Sequence, residues 1–157
     1  MDSSMDKVLT VIVPVYNMEK YIRQCLESLV IGEVLDRIEV LVVLDGSKDG
    51  SAEIAYEFVE QYPDTFRIIY KANGGHGSAI NTGLMMASGE YVKILDSDDW
   101  VDAEALRKIL EFLKKLESED EEVDMLISNY VYEKVGATHK KCIHYRNVLP
   151  QNKIFKW

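Results

Sequence analysis

Three of the four residues in Asp96-Ser97-Asp98-Asp99 are carboxylates. Carboxylates that face one point repel unless a cation joins them, and hard divalent ions bind carboxylate oxygens. Magnesium takes one or two such groups, several waters and the phosphate oxygens of a substrate. A plainer reading stands beside this one: Asp99 and Asp102 can each cap the helix that follows. Asp45 is a further acid, placed directly after the apolar run 40–44 and opening the turn-rich D-G-S-K-D-G of residues 45–50. Turn chemistry accounts for Gly46, Asp49 and Gly50, but less well for an acid at the end of a buried run. A carboxylate there can accept hydrogen bonds from a nucleobase or a ribose.

Gly74-Gly75-His76-Gly77 invites a phosphate-loop reading, with backbone N–H groups at a helix start. The dinucleotide fingerprint fails, because its third glycine position, counted from Gly75, holds Ile80. The Gly-Lys-Ser/Thr ending of the nucleotide-binding P-loop is missing too. His76 is either a ligand or acid–base group, or a solvent-facing loop histidine. His139 and His144 have no metal-ligand spacing. Cys25 and Cys142 have none either, and Cys25 falls in an apolar helical pattern, which predicts a buried reduced thiol. A disulfide framework is not expected, and a reducing, cytoplasmic compartment fits better. Aspartyl-nucleophile phosphohydrolases and receiver domains need their acids after the first strand, where this chain has Val13-Pro14-Val15-Tyr16-Asn17. No serine or cysteine elbow is present.

These residues need elements to hold them. Residues 8–15 are continuously apolar and β-branched, as in a parallel strand buried on both faces. Asn17 offers a cap to a helix whose face is Tyr21, Ile22, Cys25, Leu26 and Leu29, with Gly32 near its end. A second strand is expected over 38–44. Ser51 is then expected to cap a helix with Ile54, Ala55, Phe58, Val59 and Tyr62 inward, closed by Pro63. Residues 66–70 read as the third strand, and Ala79, Ile80, Gly83, Leu84 and Ala87 as a short helix. Residues 91–95 form the fourth strand, and 102–116 an amphipathic helix with Leu106, Ile109, Leu110 and Leu113 inward. Later strands are expected at 125–132 and 140–145, the second at an edge, with the acidic run 117–124 a solvated connection. This alternation implies an α/β fold with a mostly parallel sheet. Tyr16-Asn17, Asp45, residues 73–77 and residues 96–99 then all follow strands, at the carboxyl edge where open α/β sheets bind ligands.

Composition bounds the function. The chain has 157 residues, enough for one domain with a substantial core, and 47% of them are hydrophobic. Asp plus Glu number 27 against 18 for Lys plus Arg, a formal net charge of −9. That balance argues against general nucleic-acid binding and against docking on anionic lipid. It also makes a cation a sensible partner for any bound diphosphate. Residues 1–7 resemble no signal or transit peptide, and no run approaches the ~20 apolar residues that span a bilayer.

Read together, V-I-V-P-V-Y-N (11–17), Glu19, L-D-G-S-K-D-G (44–50), A-N-G-G-H-G-S-A-I-N-T-G-L (72–84), A-S-G-E-Y (87–91) and L-D-S-D-D-W (95–100) closely resemble family 2 glycosyltransferases. The similarity runs in order from about residue 9 to residue 113. It implies the GT-A fold, a three-layer α/β/α sandwich on a Rossmann-like, mostly parallel sheet. It also implies inverting transfer from a nucleotide-diphosphate sugar, usually a UDP-sugar, with Mn²⁺ or Mg²⁺, as in polysaccharide or glycoconjugate biosynthesis. By this resemblance Pro14, Val15, Tyr16 and Asn17 belong to the nucleoside pocket, Asp45 bonds the base, and Gly75, Gly77 and Ser97 contact substrate. Asp96 and Asp98 form the DxD motif, Asp98 as main metal ligand and Asp96 nearer the ribose or donor sugar.

Three departures stand out. Leu44 replaces the first acid of a common pair, and Ile80 replaces a common Arg, removing one phosphate contact. No match to the catalytic base is found before Trp157, and Glu133 is not a convincing one. The expectation is one nucleotide-sugar-binding domain over 1–157, truncated on its acceptor-binding side and inactive alone, with a non-catalytic binding module as the alternative. Val148, Leu149, Ile154, Phe155 and Trp157 would then cover a missing C-terminal region or a second copy in a homo-oligomer. The full-length protein would be cytoplasmic or peripheral at a membrane.

Overall fold

A computed structural model describes residues 7–119, 123–133, 136, 138–151 and 153–155. The chain divides into two compact units, Met1–Lys115 and Leu116–Trp157.

The first unit alternates strand and helix. Its elements are β1 (Leu9–Val15), α1 (Ile22–Leu29), a 3₁₀ turn over Gly32–Arg37, β2 (Ile38–Asp45), α2 (Ser51–Gln61), β3 (Phe66–Lys71), α3 (His76–Met86), β4 (Tyr91–Ile94) and α4 (Ala103–Glu119), which runs on into the second unit. The four strands are all parallel, in the order β3-β2-β1-β4. Every residue of β1 and β2 is buried, as continuous apolar runs require when both sheet faces are covered. The two-residue period of a strand separates the faces. Val11, Val13 and Val15 join Val40, Val42 and Leu44 in one core with Ile22, Leu26, Leu29, Phe58, Leu106 and Leu110. Ile12 and Val43 face the other way and meet Ala79 of α3. Helices therefore cover both faces, giving three layers.

Register sets the cleft edge. Val15 pairs with Leu44, and Asp45 pairs with Lys71, so these strands end at one level. At the opposite edge, Glu39 is buried and its Oε2 accepts from Thr10 Oγ1 at 2.8 Å and from Ser88 N at 2.9 Å. Gly89 N donates to Thr10 Oγ1 at 2.9 Å. These bonds tie the A-S-G-E turn to β1 and β2 and so fix where β4 starts.

Several local expectations change. Asn17 does not cap α1: Tyr21 precedes the helix without a side-chain cap, and Asn17 sits at φ 53°. Ser51 is the first residue of α2 rather than its cap, and Asp49 Oδ1 accepts from Ser51 N at 3.1 Å instead. His76 opens α3 rather than sitting in a loop. Ile109 is only half-buried, whereas Leu106, Leu110 and Leu113 are buried. Residues 117–119 continue α4, since glutamate and serine do not stop a helix by themselves; residues 120–122 lie outside the described residues.

In the second unit the expected strands shorten to β5 (Tyr130–Tyr132) and β6 (Lys141–Ile143), paired antiparallel as a two-stranded sheet. Lys140 bridges Glu133 at 2.7 Å there, and Tyr130 packs edge-on to Tyr132 with ring centroids 5.3 Å apart. Val148, Ile154 and Phe155 are exposed, while Trp157 lies outside the described residues.

Candidate functional site

The loops after β1, β2 and β4 and the start of α3 surround a cleft of about 520 Å³. Pro14, Val15, Tyr16, Asp45, Gly75, Asp96, Ser97 and Asp98 line it, as do Met18, Asn73, His76 and Ala79. Eight residues read from sequence as site residues therefore meet in one place. Asn17 and Gly77, also expected at the substrate, are not among the lining residues.

Asn17 has a different task. Its Oδ1 accepts from Lys48 N at 2.8 Å, while its own N–H donates to Ser47 Oγ at 3.1 Å. Met18 N donates to Ser51 Oγ at 2.9 Å and Glu19 N to Asp49 Oδ2 at 3.0 Å. Gly50 N returns a bond to Glu19 Oε2 at 2.8 Å. The loops after β1 and β2 are thus knitted together, and Tyr16, about half-exposed, is held at the cleft wall. Burial pushes the Asp49 carboxyl up, but bonds from Ser51 and from the Glu19 and Ser51 N–H groups outweigh it and hold it below the usual range.

Asp45 is buried at the end of β2. Lys71 Nζ donates to its Oδ1, Gly74 N donates to Oδ1 at 2.9 Å, and Gly75 N to Oδ2 at 2.8 Å. The bond from Lys71 leads in holding this carboxyl below its usual range, against the opposing effect of burial. The arrangement also corrects the phosphate-loop reading. The Gly74 and Gly75 N–H groups are spent on Asp45 rather than left for an anion. Gly75 takes φ +88°, the left-handed region that glycine tolerates, and so turns the chain into α3.

The acids after β4 sit in a turn closed by Asp99 N donating to Asp96 O at 2.9 Å. Asp96 and Asp98 are exposed and both line the cleft. Burial first, then the charges of Asp98 and Asp96, push the Asp99 carboxyl up. Asp102, not Asp99, caps α4, its Oδ1 accepting from Ala105 N at 2.8 Å. Cys25 is buried, with Sγ 3.7 Å from Asp96 O. Burial, then the charges of Asp99, Asp98 and Asp96, push its thiol up to about 12, so it stays protonated and inert.

Among the described residues no group of three or more His, Cys, Asp or Glu converges on one point. The cleft instead offers two hard carboxylates, Asp96 and Asp98, in a locally negative field. That donor set suits a divalent ion whose remaining ligands are diphosphate oxygens and water.

Two contributors escaped the sequence reading. Met18 lines the cleft, and Lys71 supports Asp45 from behind it. The signal for Lys71 was its place in register opposite Asp45, visible only once β2 and β3 are paired.

The sequence profile described as Glycosyl transferase family 2 matches residues 10–142. GlyA of Streptococcus pneumoniae serotype 4 (strain ATCC BAA-334 / TIGR4), described as a glycosyltransferase, is 42% identical over 80% of this chain and 17% of its own length. EpsH of Bacillus subtilis (strain 168) is 34% identical over 95% of this chain and 45% of its own. The chain thus spans less than half the length of these curated relatives. Among solved structures, S. aureus TarS 1-349 superposes with a TM-score of 0.61 at 33% identity, over 70% of this chain and 33% of that one. TarS 1-349 has also been solved in complex with UDP-GlcNAc. The mannosyltransferase PcManGT from Pyrobaculum calidifontis, in complex with GDP-Man and Mn²⁺, gives 0.60 at 30% identity, over 70% of this chain and 33% of that one.

Proposed function

Because this chain belongs to glycosyl transferase family 2 and carries the α/β GT-A fold, we propose that its cleft binds a nucleotide-diphosphate sugar, a UDP-sugar in the first instance, for inverting transfer to an acceptor hydroxyl. The observation that carries this reading is the meeting of Asp45 with the Asp96–Asp98 pair in one cleft at the carboxyl edge of the sheet. The complexes of TarS with UDP-GlcNAc and of PcManGT with GDP-Man and Mn²⁺ support it.

Asp45 presents acceptor oxygens, which suits an imino N–H on the base; uracil and guanine both have one. Pro14, Val15 and Tyr16 supply an apolar and aromatic wall for the base and ribose. Asp96 and Asp98 would hold Mn²⁺ or Mg²⁺, which when bound neutralises the charge of the departing diphosphate. His76, in the first turn of α3 with Nε2 3.6 Å from Asp96 Oδ1, is placed to contact the same diphosphate. In the transfer the acceptor oxygen bonds to the anomeric carbon as the bond to the diphosphate oxygen breaks. The leaving group takes the electron pair, and the acceptor proton passes to a carboxylate base.

Among the described residues, the carboxylates lining the cleft are Asp45, Asp96 and Asp98, and each already has a role in donor binding. None is left over to deprotonate the acceptor. That favours, as the second reading, a donor-binding part whose catalysis depends on another segment or a partner.

Calorimetric titration of the chain with UDP-sugars, with and without Mn²⁺, tests the donor site. Metal-dependent binding that Asp98→Ala abolishes is the expected result. Absence of metal-dependent binding in wild type, or equal binding by Asp98→Ala, would sink the assignment. Hydrolysis of the donor then separates an enzyme from a binding module.

A further inference from the structure

Lys71 and Asp45 are the last residues of β3 and β2, and they stand directly opposite each other in the register. The Lys71 ammonium donates to Asp45 Oδ1 and, at 2.7 Å, to Ala72 O. Its side chain is 16% exposed and that of Asp45 only 4%. Gly74 leaves room for this arrangement: a Cβ there would lie 3.0 Å from Lys71 Nζ and 2.7 Å from Ser78 Oγ. Lys71 itself is not among the residues that line the cleft, so it acts through Asp45 and not by touching a ligand.

The direction of the hydrogen bonds is informative. All three partners of Asp45 are donors, namely Lys71 Nζ, Gly74 N and Gly75 N. An ionised carboxyl accepts from each of them, whereas a neutral one would have to carry its proton on whatever position those donors leave open. A carboxylate has about four acceptor positions. Three are taken within the protein, which leaves one for the cleft that Asp45 lines. The free position accepts and cannot donate. Fixed by its three donors, it matches the imino N–H of uracil or guanine, whereas cytosine in the same seat presents its N3 lone pair there and must shift to offer its N4 amino group.

Resting on the donor-site reading above, we propose that Lys71 is the specificity-determining positioning residue of the base pocket. By anchoring Asp45 as a fixed, acceptor-only group, it admits bases that present an imino N–H and refuses cytosine. Without the ammonium, the two glycine N–H groups alone would hold a buried carboxyl that burial drives toward its neutral form. A neutral carboxyl can also donate, and the discrimination between uracil and cytosine would fade.

The test compares UDP with CDP by calorimetry at fixed Mn²⁺, using the full chain as wild type, Lys71→Met and Lys71→Arg. Wild type is expected to bind UDP at least about tenfold more tightly than CDP, because a site built around one hydrogen bond rejects the analogue that cannot make it. Lys71→Met should narrow that ratio to about threefold or less, and Lys71→Arg should restore most of it. A merely structural role would weaken both nucleotides equally and leave the ratio intact. A wild-type ratio in Lys71→Met therefore overturns the proposal, as does a wild type that binds UDP and CDP equally well. Should Lys71→Met melt below the assay temperature, the uncharged Lys71→Gln carries the same comparison with the same overturning result. Wild type binding neither of these nor GDP sinks the donor-site reading itself, a separate and recognisable outcome.

Discussion

His76 Nε2 lies 3.6 Å from Asp96 Oδ1, joining the first turn of α3 to the turn after β4. Both side chains are more than half exposed, at 60% and 53%. An exposed pair of this kind contributes about 0–1 kcal/mol to stability. Its value here lies in position, because both residues line the cleft. His76→Ala should leave the thermal midpoint nearly unchanged while weakening UDP binding in Mn²⁺ about fivefold, roughly the net worth of one solvent-exposed hydrogen bond. A large drop in melting temperature with unchanged UDP affinity would contradict this assignment.

Asp45 should matter to the fold as much as to the ligand. Asp45→Ala leaves the Lys71 ammonium and the Gly74 and Gly75 N–H groups without their shared acceptor. Removing one partner from a buried, charged arrangement costs about 3 kcal/mol. In a chain of this size that lowers the melting temperature by roughly 6–12 °C. Differential scanning calorimetry reads the shift, and a change under about 2 °C would show that the three donors find water at no cost.

Acid should destabilise the first unit through Asp45 and Asp49. Both carboxyls are held below the ordinary aspartate value of 3.8, so the folded state binds their protons less readily than the unfolded chain does. Their contribution is fully present above 3.8 and is lost as the pH falls through their lower folded values. Melting temperatures recorded from pH 7 down to pH 2 should therefore fall steeply below about pH 4 in wild type. The fall should be shallower in Asp45→Asn and Asp49→Asn, and an equally steep acid limb in both variants would refute the claim.

The two cysteines should react very differently. Cys25 is buried, with its thiol pushed up to about 12, and Cys142 is exposed. A thiol reagent at pH 8 should modify Cys142 quickly in the native protein and reach Cys25 only on unfolding. Mass mapping that finds Cys25 labelled first would contradict the burial of its thiol beneath α1.

Much of the site was legible because a parallel sheet obeys a simple rule: every strand's carboxyl end lies on the same edge. Tyr16, Asp45 and Asp96 each follow an apolar run, so strand recognition alone brought them together. Local capping was less legible. Asn17 and Ser51 are both strong cap formers, but each side chain found a partner in a neighbouring loop some thirty residues away, at Lys48 and Met18 respectively. Cap preference is a local energy of about 1 kcal/mol, and a few cross-loop bonds outweigh it.

By itself the sequence determined the strand–helix alternation, the family pattern and the acids that would reach the ligand edge. Hydrophobic period and turn residues act over short stretches of chain, and short stretches can be read directly. Only the tertiary structure decided what those acids do when they arrive. Asp45 faces three donors because β2 and β3 pair with Asp45 opposite Lys71, and because the chain after β3 turns back over it at Gly74 and Gly75. Register and loop return are set by the packing of whole elements, and hydrogen-bond direction follows from them. The lysine that governs the acid looks, in the sequence, like any other charge at the end of a strand.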